Sequence, residues 1–95
     1  MAQYRTQVKI IADVLSTARD MNTEGSGVGI TMLLRRGNMS YSRMSKLLGE
    51  LVGSGLLVEL NAEKVSKYKI SDKGIQFLAA YGHFEDFALS FGLRL

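Results

Sequence analysis

The chain has 95 residues, no cysteine, one histidine, 46% hydrophobic and 22% charged residues, and a formal net charge of +3. That is the composition of one small globular domain, and it excludes disulfide staples, thiolate zinc sites and cysteine nucleophiles. No apolar run approaches the ~20 residues needed to span a bilayer, and Met1 to Thr6 lack an apolar signal core, so a soluble cytoplasmic protein with no cofactor is expected.

A helix is predicted from about Tyr4 to Met21, because Tyr4, Val8, Ile11, Leu15 and Ala18 recur at spacings of four and three. Asn22 to Gly29 has three glycines and no period, and reads as a loop. A short helix over about Ile30 to Arg36 follows, with Ile30, Leu33 and Leu34 inward and Arg35 and Arg36 in its last turn. Cations there suit the helix dipole. Gly37-Asn38 is a stop signal, with Gly37 expected in the left-handed cap position.

Ser40 is a good N-cap for a third helix. Met44, Leu47, Leu48, Leu51 and Val52 fall within an arc of roughly 140° on it. Ser42, Lys46 and Gly49 point the other way, with Arg43 and Glu50 beside them. Tyr41 lies about 60° from the apolar centre, which leaves both core packing and an outward role open to it. Gly53 and Gly55 end the helix.

The period then shortens. Leu56 to Leu60 reads as a strand, Asn61 to Lys64 as a turn, and Val65 to Ile70 as the returning strand. Tyr68 and Ile70 share one face, and Lys67 and Lys69 the other. Ser71 caps a last helix from Asp72 to about Ser90. On it Phe77, Tyr81, Phe84, Ala88 and Phe91 recur as a heptad seam, with Phe87 beside them.

Charge is unevenly spread. Residues 1–34 sum to zero and residues 74–95 to −1. Residues 35–73 carry Arg35, Arg36, Arg43, Lys46, Lys64, Lys67, Lys69 and Lys73 against Glu50, Glu59, Glu63 and Asp72, a net +4. Such a patch favours nucleic acid or an anionic membrane surface.

A short helix, a tight turn and an amphipathic helix make a helix-turn-helix, and a basic hairpin directly after it makes the winged variant. The fold expected is mainly α with a small β-hairpin (α+β): a winged helix over 1–71 and a C-terminal helix over 72–95, forming one compact unit. In such a unit the third helix enters the major groove with its N-terminal residues toward base edges. The residues placed to touch DNA are Arg35, Arg36, Ser40, Tyr41, Ser42, Arg43 and Lys46, with Lys64, Lys67 and Lys69 reaching phosphates from the wing.

Four stretches strengthen this reading: Arg5 to Leu15, Gly29 to Tyr41, Leu47 to Leu57 and Tyr68 to Leu78. Together they resemble the archaeal winged-helix predicted transcriptional regulators, a group related to small archaeal chromatin proteins that dimerise through a C-terminal helix. The resemblance implies double-stranded DNA binding as a homodimer on the nucleoid, with Ser40, Tyr41, Arg43 and Lys46 toward the groove. The aromatic seam of the last helix matches the implied pairing. Its contact residues would be Phe77, Tyr81, Phe84, Phe87, Ala88 and Phe91, with Gly82 marking a close approach.

Two other readings are open. Gly25-Ser-Gly-Val-Gly-Ile-Thr31 superficially suggests a phosphate loop, but it lacks the Gly-Lys-Ser/Thr ending and follows a helix where a strand is needed. His83 could serve a triad with a serine and an aspartate, but it lies among the aromatics of the last helix with Glu85 and Asp86 close in sequence and off its face, so it reads as a surface or interface histidine. An enzyme is therefore not expected. A winged helix that binds protein rather than DNA is the alternative.

Overall fold

The structure is a computed structural model that describes residues 7–23, 25–62 and 65–93. Its elements run α1 (Gln7–Asp20), β1 (Val28–Gly29), α2 (Ile30–Gly37), α3 (Tyr41–Gly53), β2 (Leu57–Ala62), β3 (Val65–Ile70) and α4 (Asp72–Leu89). The first six residues of the chain, including Tyr4 of the expected first stripe, lie outside the described residues, as do Glu63 and Lys64.

α1 buries Ala12, Val14, Leu15 and Ala18. After it, the side-chain carbonyl of Asn22 accepts the Gly27 N–H at 2.9 Å and turns the chain back. The expected loop ends early: Val28 and Gly29 pair with Tyr68 and Lys67 as β1, so the sheet has three strands rather than two. Two residues are too few to show a period, but Val28 is buried in the core.

The helix-turn-helix closes on Asn38. This residue, not Gly37, takes the left-handed conformation, with φ 49° and ψ 49°. Its N–H donates to the Leu34 carbonyl at 3.3 Å, and Gly37 completes the helix. Asparagine visits that region because its short polar side chain hydrogen-bonds locally. Ser40 caps α3 as expected, its Oγ accepting the Arg43 N–H at 3.3 Å. Beneath α3, Met44 and Leu48 are fully buried beside Leu47 and Leu51. Each such side chain contributes roughly 1.5–3 kcal/mol relative to exposure.

α3 ends in a Schellman motif: Leu56 N–H reaches the Leu51 carbonyl at 2.9 Å and Gly55 N–H that of Val52 at 3.1 Å. The motif needs a left-handed residue at its turn, and Gly55 has φ +85°. Lys73 Nζ donates to the Ser54 carbonyl at 3.2 Å, which places a cation at the negative end of α3.

The sheet is antiparallel in the order β1-β3-β2. Asn61 and Ala62 belong to β2, paired with Ser66 and Val65, where a turn was expected. Opposed residues share a face. Val28, Tyr68, Leu57 and Ile70 therefore face the helices, with Val28 and Leu57 buried. Lys67, Lys69, Val58 and Leu60 stand on the opposite face.

Ser71 caps α4 by accepting the Gly74 N–H at 3.0 Å. α4 packs on α1 and β3, and Phe77 and Leu78 join the core. Past Leu89 the chain turns back, so that Leu93 N–H reaches the Ala88 carbonyl at 3.0 Å, and Ala88 is buried. No described helix is long and apolar enough to cross a membrane.

Candidate nucleic-acid interface

The turn at Asn38 and the cap at Ser40 set α3 as the second helix of the pair. Its apolar side is locked into the core, so its remaining residues define the exposed surface. Ser40, Tyr41, Ser42, Arg43 and Lys46 are all exposed, and Tyr41 keeps 63% of its accessible surface. Tyr41 thus takes the outward alternative. Gly49 has open space where a side chain would be. Ser45 is exposed on the same helix, between Ser42 and Gly49. Sequence reasoning passed over it because a lone serine carries no charge and breaks no pattern, although its position opposite Leu47 was available from the 100° step.

Arg43 and Lys46 line an open groove between α3 and α1. Gln7 and Ile10 form the α1 side, Leu47 and Glu50 continue the α3 side, and Met39 lies at the turn. The groove combines two cations, one carboxylate and the Gln7 amide with three apolar side chains.

The other expected cations are dispersed. Arg35 is exposed at the end of α2. Arg36 turns back to α1, its Nη2 donating to Met21 Sδ at 3.4 Å. Arg19, hydrogen-bonded to Asp20 at 2.8 Å, holds that carboxyl below its usual range, and Arg36 adds to the effect from α2. Lys67 and Lys69 share the sheet face directed away from the helices, so the structure does not bring them onto the surface of α3. Val58 and Val65 lie exposed on that same face, making it mixed apolar and basic. Lys64 lies outside the described residues.

Between α3 and the wing, burial pushes the Tyr68 phenol above its ordinary value. The negative charge of Glu59, directly opposite on β2, pushes the same way, and Tyr41 adds to it.

On α4 the structure divides the aromatic seam. Tyr81 turns inward and its hydroxyl is buried without a hydrogen-bond partner among the described residues. Ala88 is covered by its own chain. Phe84, Phe87 and Phe91 are 56%, 63% and 68% exposed, and Phe87 and Phe91 stack edge-on at 5.1 Å. Phe77 packs against the core, so of the six expected contact residues Phe84, Phe87 and Phe91 form the exposed strip. Gly82 lies on the far side of α4 from it. Among the described residues no group of three or more His, Asp or Glu could hold a metal ion.

A helix-turn-helix whose second helix is exposed at its N-terminal end, followed by an antiparallel wing, defines a winged helix-turn-helix unit. Residues 4–89 match the winged helix-turn-helix family, and the chain belongs to it. Among solved structures, Sso10a-2, a DNA-binding protein from the archaeon Sulfolobus solfataricus, superposes with a TM-score of 0.75 at 22% identity, covering 92% of this chain and 85% of that one. SSV1 F-93 superposes with a TM-score of 0.55 at 14% identity, covering 92% of this chain and 99% of that one. A search of curated proteins found no match.

Proposed function

We propose that this protein binds double-stranded DNA as a homodimer and serves as an archaeal transcriptional regulator or chromatin protein rather than as an enzyme. The observation that carries the reading is α3. The outward side of its N-terminal half, Tyr41, Ser42, Arg43, Ser45 and Lys46, is exposed on a family fold whose second helix enters the major groove, and it presents hydroxyls and cations there. Serine hydroxyls bond base edges or phosphates, and arginine and lysine reach guanine acceptors or phosphates. Sso10a-2, a DNA-binding protein, supports the same assignment. Residues 1–71 supply the binding unit and 72–95 the pairing arm.

The dimer rests on the exposed strip Phe84, Phe87 and Phe91. Exposed aromatic strips of this kind mark interaction sites or aggregation liabilities, and a two-fold contact between two copies buries both strips at once. Such a pair would set two α3 helices on one duplex, about 34 Å apart if they address successive major grooves.

The test is a salt titration on a mixed-sequence duplex. If each protomer neutralises about four phosphates, the log–log slope for a dimer should be roughly −7. A slope near zero, or no binding at low salt, favours the protein-binding alternative.

A further inference from the structure

Two exposed cations of α3 stand at the rim of an open groove. Taking Met44 as zero and 100° per residue, Ser45 lies at about +100° and Ser42 at about +160°, while Arg43 lies at about −100°. Arg43 is therefore on the α1 flank of the helix, and Lys46 joins it in lining the groove. The opposite wall is Gln7 and Ile10, and Leu47 and Met39 complete a lining that is more polar than apolar. Tyr41, Ser42 and Ser45 are exposed outside it.

A sugar–phosphate strand alternates anionic phosphates with the apolar faces of deoxyribose. The groove offers cations along one rim for the phosphates, with Ile10, Met39 and Leu47 also in its lining. Resting on the DNA-binding reading above, we propose that this groove is the track for one sugar–phosphate strand of the duplex, with Arg43 and Lys46 as phosphate contacts. Base edges then fall to Tyr41, Ser42 and Ser45, and bare Gly49 lets the helix lie deep. Phosphate contacts fix register and orientation, while contacts to base edges carry sequence information. Arg43 and Lys46 therefore orient the protein more than they select a sequence. Glu50, in the same wall as the two cations, repels the strand and holds affinity down.

Gln7 separates this arrangement from simple binding by α3, because it lies on α1 and is exposed. The experiment measures binding of a mixed-sequence duplex between 50 and 200 mM salt for the parent, Gln7→Lys, Gln7→Glu and Glu50→Gln. Gln7→Lys should bind tighter at low salt and add about one phosphate contact, so that its Kd climbs roughly threefold more than the parent's over that range. Gln7→Glu should bind more weakly and Glu50→Gln more tightly. If both Gln7 variants match the parent while Glu50→Gln tightens, DNA meets α3 outside the groove and the proposal falls. If all three match the parent, it falls as well. If the parent fails to bind at low salt, the DNA-binding reading itself fails, and the proposal with it.

Discussion

Gly74 lies directly against the main-chain carbonyl of Leu56. A Cβ at position 74 would collide with that oxygen and stand 2.6 Å from Ile70 Cγ1. The first turn of α4 is thus pressed onto the segment joining α3 to β2, where Ser71 N–H also donates to the Leu56 carbonyl at 3.1 Å. Gly74→Ala should destabilise the protein by ~1–3 kcal/mol, the usual cost of overpacking. Each kcal/mol lowers Tm by roughly 4–8 °C in a domain of this size. Gly82→Ala is the control, since nothing lies within 4 Å of its Cβ position, and it should raise Tm slightly by improving helix propensity.

The turn between α2 and α3 makes a second prediction. Asn38→Gly should be nearly neutral, because glycine takes the left-handed region freely. Asn38→Val should cost ~1–2 kcal/mol, since a β-branched side chain there meets the following carbonyl. Urea denaturation of the two variants gives the comparison, and equal midpoints would remove any role for backbone conformation at this position.

Pairing through α4 is tested by sedimentation at tens of micromolar. The wild type should run as a dimer, and Phe84→Glu and Phe87→Glu as folded monomers, because both rings are exposed in the single chain. Each phenylalanine buried on pairing is worth ~1.5–3 kcal/mol. A monomeric wild type, or variants that stay dimeric, would rule out this strip as the contact.

Lys67→Ala and Lys69→Ala separate the wing from the reading helix. Each should reduce the salt slope by about one and weaken all sequences equally. No change would mean that the sheet face carrying them is turned from the duplex.

Tyr68 gives an alkaline signature. Its folded-state value lies above the ordinary 10.0 through burial, then Glu59 and Tyr41. The native state therefore holds its proton longer than the unfolded chain. The associated stability is intact below about pH 10 and is lost as pH rises from there through the raised folded value. Ultraviolet titration of tyrosine should show a late-ionising component that shrinks in Tyr68→Phe and shifts earlier in Glu59→Gln.

The sequence made legible whatever rests on local chemistry. Ser40 and Ser71 cap helices because a hydroxyl at that position satisfies a free N–H, and Met44 to Leu51 face inward because their spacing matches the helix. β1 was hidden, since its two residues become a strand only when β3 arrives. The left-handed turn fell to Asn38 rather than Gly37, a choice between two permissive residues that propensity alone does not make. Within the aromatic seam, Phe84, Phe87 and Phe91 stay exposed while Phe77, Tyr81 and Ala88 turn inward, because α1 covers one flank of α4, and periodicity within α4 carries no record of α1. Of the α3 surface, the charged residues stood out, but the division between groove and open face depends on where α1 lies.

α1 packs against α2, β3 and α4, and forms one wall of the groove beside α3. In a paired molecule it would act as a fixed-gauge caliper, holding the pairing arm and the reading helix at a set separation. A slide of α4 along α1 by one residue is a shift of about 1.5 Å along the helix. Doubled by the two-fold axis, it would change the span between the two reading helices by up to about 3 Å, close to the 3.4 Å rise of one base pair along each strand. The seating of α1 on α4, rather than any residue that meets DNA, would then decide which spacing of half-sites the pair can grip.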